Sequence, residues 1–97
     1  MEGIFYVKKC GTLENVPSKS GETLNKRTVV LSTKECRVGD SGTYCIDQDL
    51  VFDLFHDRAV NFNVAEGQWL VISYGTVARE INGNLYAENR LNRYCPL

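Results

Sequence analysis

A chain of 97 residues, 43% hydrophobic and 24% charged, has the composition of an ordinary globular domain and is too short for two independent cores, so residues 1–97 are read as one domain. No apolar run approaches the roughly 20 residues needed to span a bilayer, and MEGIFYVKKC lacks the basic start and apolar stretch of a secretory signal, so a cytoplasmic chain without membrane contact is expected. The net charge of −1 is not that of a protein held to polyanions by a global positive field.

The run GIFYVKKC (3–10) is β-branched and aromatic without helical spacing, and predicts a first strand. GTLENVPSKSGETLN follows as a loop, with Pro17, Ser18, Ser20 and Gly21 as its turn residues. KRTVVLST (26–33) predicts a second strand, and KECRVGDSGTYCIDQ after it reads as polar and turn-rich around Gly39-Asp40-Ser41-Gly42. DLVFDLF (49–55) predicts a third strand, with Phe52 and Leu54 alternating against Val51, Asp53 and Phe55. The pattern then breaks: Asp57 suits the N-cap of one helical turn running to Phe62, and Gly67 marks the exit. WLVISYGTVAREI (69–81) and NLYAENRLNRY (84–94) predict the last two strands. Three strands, one short helix and two strands make the layout of an all-β, five-stranded OB-fold, a small Greek-key barrel; a five-stranded α+β sheet of another topology shares that order.

Asn82-Gly83 sets the register of the final hairpin, because a two-residue type I′ loop needs φ > 0 at both central positions. Ile81 then faces Asn84, Arg79 faces Tyr86, Val77 faces Glu88 and Gly75 faces Arg90. On the other face Ala78 meets Ala87, Thr76 meets Asn89 and Tyr74 meets Leu91, and that face runs back through Ile72 and Leu70 into the interior. Trp69, Val71, Ser73, Arg79, Tyr86 and Arg90 point outward, with Arg79 and Tyr86 placed for a cation–π pair. The expected core is Val29 or Val30, Leu31, Phe52, Leu54, Leu70, Ile72, Tyr74 and Leu91.

Charge is unevenly spread: +3 over residues 1–34, −5 over 35–70 and +1 over 71–97. Gly39-Asp40-Ser41-Gly42 matches the nucleophile motif of trypsin-like proteases, but that chemistry needs a His and an Asp assembled across two barrels, so the motif reads as a turn. His56 is the only histidine, lies 11 residues from the nearest cysteine and reads as structural; Asp57, Arg58 and Glu66 read as a cap and solvated charges. Cys10, Cys36, Cys45 and Cys95 include no Cys-x-x-Cys pair, so no metal is expected, and without an export signal four free thiols are expected. A bridge between Cys36 and Cys45 across a hairpin stays open.

The segment LVFDLFHDRAVNF…EGQWLVISYGTVAREINGNLYAENRLNRY resembles the bacterial single-stranded DNA-binding proteins, in which a third strand ending in an apolar–Phe–Gly step leads into a short helix, a Gly turn and two final strands. It is similar more closely to a small bacterial family of OB-fold domains of unknown function with an Arg-Glu-x-Asn-Gly hairpin, here Arg79-Glu80-Ile81-Asn82-Gly83, followed by a Tyr matching Tyr86. Lys26-Arg27 and Asp57-Arg58 match its second-strand start and third-strand end. The likeness covers about residues 20–94. Where the DNA-binding family starts its third strand on Trp, this chain has Asp49.

The resemblance implies a non-catalytic domain binding single-stranded DNA, or RNA, as an accessory to replication, recombination or repair, with no cofactor. Stacking bases needs exposed aromatic faces, and tracking phosphates needs Lys or Arg. Phe55 stands where the family carries a stacking Phe; Lys8, Lys26 and Arg27 come from the basic first third, beside Lys9 and Lys19; Arg79, Tyr86 and Arg90 come from the hairpin. The other reading is a protein-interaction or homo-oligomerisation module on the same barrel.

Overall fold

The computed structural model describes residues 1–17 and 21–97. The expected turn residues Ser18 and Ser20, and Lys19 of the basic first third, lie outside the described residues. In chain order the elements are β1 (Glu2–Cys10), β2 (Glu14–Pro17), β3 (Thr23–Gly39), β4 (Gly42–Phe55), α1 (Asp57–Asn61), β5 (Trp69–Ile81) and β6 (Asn84–Pro96). Every ladder is antiparallel.

The strands form one sheet in the order β2-β3-β1-β5-β6, with β4 also on β3. Lys26 pairs with Glu14 of β2 and with Phe55 of β4, so those strands lie on opposite edges of β3. Val29 to Ser32 pair with both β1 and β4, so β1 shares the β2 edge. β2 is thus β1 resumed after a bend at Gly11–Leu13, and the sheet is five positions wide although six strands build it. The bend needs glycine: Gly11 donates its N–H to the Thr28 carbonyl at 2.9 Å, and a Cβ there would sit 2.6 Å from that oxygen. An antiparallel β-fold with one short helix is therefore present, whereas the closed five-stranded barrel is not: no ladder joins β4 to β6, which approach without pairing.

The two long hairpins extend past the core. Residues 34–48, expected to be turn-rich, are instead a regular ladder of β3 and β4 up to the Asp40-Ser41 turn, with Lys34 opposite Asp47, Arg37 opposite Tyr44 and Val38 opposite Thr43. Cys36 stands opposite Cys45, with Cα atoms 4.0 Å apart, and the two are joined by a disulfide. This corrects the expectation of four free thiols: direct cross-strand opposition brings Cα atoms within about 4.5 Å, close enough to bridge. Cys10 and Cys95 are free.

The β5–β6 register is the one that Asn82-Gly83 dictates, from Ile81↔Asn84 through Arg79↔Tyr86 and Gly75↔Arg90 to Tyr74↔Leu91. Asn82 and Gly83 have φ of 52° and 81°, as a type I′ turn requires. A bulge between Ser73 and Tyr74 then shifts the pairing by one residue.

The core comprises Phe5, Val7, Val29, Leu31, Phe52, Leu54, Ala59, Phe62, Val64, Leu70, Ile72 and Leu91. Every expected position is there except Tyr74, which is half-buried and sets its ring edge-on against Phe5 and Phe52, with centroids 5.6 and 5.9 Å away. Period-two alternation explains the strand residues of the list, while Ala59, Phe62 and Val64 come from α1 and the segment after it. Burying each large apolar side chain contributes about 1.5–3 kcal/mol.

Helix α1 begins one residue earlier than Asp57-as-cap implies. His56 holds the N-cap position without a side-chain cap bond, and Asp57 is the first helical residue. His56 has φ 58° and ψ −132°, a region that favours glycine. Its N–H donates to the Asn25 carbonyl at 3.0 Å. Ala59 and Phe62 turn into the core, and Phe62 packs on the Tyr94 ring at 5.2 Å.

Candidate functional site

Where β4 and β6 fail to pair, a groove of about 560 Å³ opens between the end of β4, the start of α1 and the β5–β6 hairpin. Leu24, Leu54 and Leu91 supply its apolar lining, and Asp53, Phe55, His56, Arg58, Arg79, Glu88, Arg90 and Asn92 complete it. Strand parity explains the grouping. Phe55 lies on the opposite strand face from Phe52 and Leu54, so it leaves the core and is 37% exposed. Arg79, Glu88 and Arg90 share one hairpin face, because Glu88 is opposite Val77 and Arg90 is opposite Gly75.

The three groove arginines do different things. Arg58 is no solvated charge: its Nη1 donates to the Leu91 carbonyl and its Nη2 to the Asn92 carbonyl at 2.7 Å, tying α1 to β6 across the open seam. Arg79 and Arg90 approach the same Glu88 oxygen at 3.5 and 3.6 Å, each with its side chain 57% exposed. Arg79 thus turns to Glu88, the diagonal neighbour across the ladder, while Tyr86, directly opposite Arg79, is about half exposed.

The expected basic residues of the first third do not gather at the groove. Lys8 lies on the outer sheet face, with Nζ 2.9 Å from the Asp49 carboxylate and 3.7 Å from that of Asp47. The Asp49 hydrogen bond raises the Lys8 pKa from its ordinary value, and the bonds from Lys8 and Ser32 lower that of Asp49. The contribution of Lys8 to folding therefore fades as pH rises through its raised value; that of Asp49 fades as pH falls through its lowered value. Both groups are exposed, so the pair is a weak tether. Arg27 pairs with Leu54 and so faces inward; its Nη1 meets the Cys10 sulfur at 3.6 Å and its Nε is buried without a partner among the described residues. Lys26 is half-buried beside Phe55, as its cross-strand neighbour.

Of the seven expected site residues, Phe55, Arg79 and Arg90 converge on the groove, Lys26 and Tyr86 flank it, and Lys8 and Arg27 are engaged elsewhere. The sequence reading missed Arg58 and Glu88, which line the groove, and gave Glu66 no partner although its carboxylate accepts the Cys10 N–H at 3.0 Å. Glu88 could have been found from the register, since residues two apart on a strand share a face. The carbonyls that Arg58 meets lie 33 and 34 residues away, beyond any local pattern.

Among the described residues no group of three or more His, Cys, Asp and Glu is placed to hold a metal ion, and no helix is long and apolar enough to cross a membrane. No protein-family model matches the chain, and no curated protein is similar to it.

Proposed function

We propose that this chain is a non-catalytic binder of single-stranded nucleic acid, built on an OB-fold-like sheet whose unpaired seam forms the binding groove. The observation that carries the reading is the meeting of Phe55, Arg79 and Arg90 in one groove, from sites 24 and 35 residues apart in sequence. A base needs an exposed aromatic face, which Phe55 offers at the groove wall. The backbone needs cations with free donors, which the exposed guanidinium groups of Arg79 and Arg90 offer. In OB-folds the middle strands and the loop between the last two strands form the ligand surface; the groove is bordered by the end of β4 and by the β5 and β6 strands either side of the hairpin turn, which fits that reading. DNA and RNA share the stacking and phosphate chemistry invoked here, and the accessory role in replication, recombination or repair rests on the resemblance alone.

A second reading has its own observation. Ile4, Trp69 and Val71 are exposed together on the outer face of β1 and β5, where Trp69 packs on Tyr6 at 5.1 Å, and such a surface suits a protein partner or a second copy. Titrating a labelled strand of about 20 nucleotides, longer than the 4–16 that one OB-fold covers, separates the two readings. Binding with a log–log salt slope of roughly −1.4 to −2.8, two to four phosphate contacts, supports the first. No binding at micromolar protein and low salt leaves the second.

A further inference from the structure

Glu88 sits between the two arginines for a reason of register. It is diagonal to Arg79 across the ladder and two residues from Arg90 along β6, so one carboxylate oxygen serves both guanidinium groups. It lies deeper than they do, at 26% exposure against 57%, and that oxygen makes no hydrogen bond among the described residues. The contacts are thus charge against charge at 3.5 and 3.6 Å, without the 2.7–2.9 Å directional bonds that a guanidinium makes with a well-placed oxyanion. A phosphate arriving from the groove would offer both arginines that better geometry.

We infer that Glu88 is an internal stand-in for a backbone phosphate, holding Arg79 and Arg90 over the groove until an anionic strand displaces it. The inference rests on the nucleic-acid reading above and concerns how that site is regulated. Glu88 lowers affinity for every strand alike, because it competes for the phosphate contacts and not for the base. A strand with several phosphates overcomes it, since the second and later contacts form at high effective concentration. Removing its charge lifts that competition and leaves the phosphate contacts of the complex, at about 0.7 of salt slope each, as they are.

The test compares the unmodified protein with Glu88→Gln, Glu88→Asp and Glu80→Gln, titrating each with a fluorescein-labelled thymidine oligonucleotide over a salt series. Glu80 is opposite Leu85 on the other hairpin face, with no ion pair among the described residues, so Glu80→Gln removes the same charge away from the groove. Glu88→Gln is expected to tighten binding roughly ten-fold at low salt with the salt slope unchanged, because the same phosphate contacts form in both complexes. Glu80→Gln should stay near the unmodified protein, and Glu88→Asp, which keeps the charge on a shorter side chain, should fall between the unmodified protein and Glu88→Gln. Thermal melts check folding, and an unfolded Glu88→Gln with a folded Glu88→Asp still decides the matter through Glu88→Ala. If the unmodified protein binds and loss of the Glu88 charge leaves affinity unchanged, or Glu80→Gln tightens binding equally, the inference is wrong and the binding reading stands. If none of the proteins binds, the binding reading falls and takes the inference with it.

Discussion

The two long hairpins share a plan and differ in what holds them and what they carry. Neither β3–β4 between Thr33 and Asp49 nor β5–β6 between Gly75 and Arg90 has a buried residue, so each arm stands clear of the core. The first arm is stapled by Cys36–Cys45 and sets Lys34 opposite Asp47. The second has no covalent tie; it has the Asn82-Gly83 turn and a face of Arg79, Glu88 and Arg90 turned to the groove. An arm outside the core gains little from burial, so it needs either a crosslink or a strong turn. The second aims its charges at the groove.

The largest effect should come where both arms are rooted. Phe52 is fully buried, and Phe52→Ala should cost about 3–5 kcal/mol by chemical denaturation and lower amide protection in both arms together. Separate losses would show that the arms are independent units. Next, the staple should matter to one arm only. Thiol titration of the denatured, unreduced protein should find the two free cysteines Cys10 and Cys95 and no others. Replacing Cys36 and Cys45 with Ser should cost about 2–3 kcal/mol, from a bridge spanning nine residues, without altering oligonucleotide affinity. Altered affinity would place the first arm in the site.

On the other side of the comparison, Phe55→Ala should weaken strand binding by about 1–3 kcal/mol with the salt slope unchanged, because stacking releases no counterions. A changed slope would mean that Phe55 positions arginines instead of stacking. The smallest effect concerns the joint where β4 leaves the core for the groove. His56→Gly should stabilise the fold by about 1 kcal/mol, since glycine takes φ 58° and ψ −132° without strain. A destabilised variant would show that the imidazole makes contacts worth more than the backbone relief.

How much of this was legible follows from what each arm depends on. The second arm's register could be read because Asn82-Gly83 admits one turn type and every later pair counts back from it. Phe52, Leu54, Leu70 and Ile72 were legible because burial on one face imposes alternation. The first arm was missed because a hairpin outside the core has polar residues on both faces and no apolar period to detect. Phe55, Arg79 and Arg90 were recoverable as residue types at extended positions. The engagement of Lys8 was not, since its partner Asp49 is 41 residues away and meets it only through β3.

The central claim is that the strand binds at the second arm and its groove, not at the first arm. Amide and side-chain NMR spectra recorded while a short single strand is added test it directly. The account predicts shifts at Phe55, His56, Arg79 and residues 88–92, with residues 34–48 unmoved. Shifts concentrated in 34–48, with the groove resonances still, would contradict it.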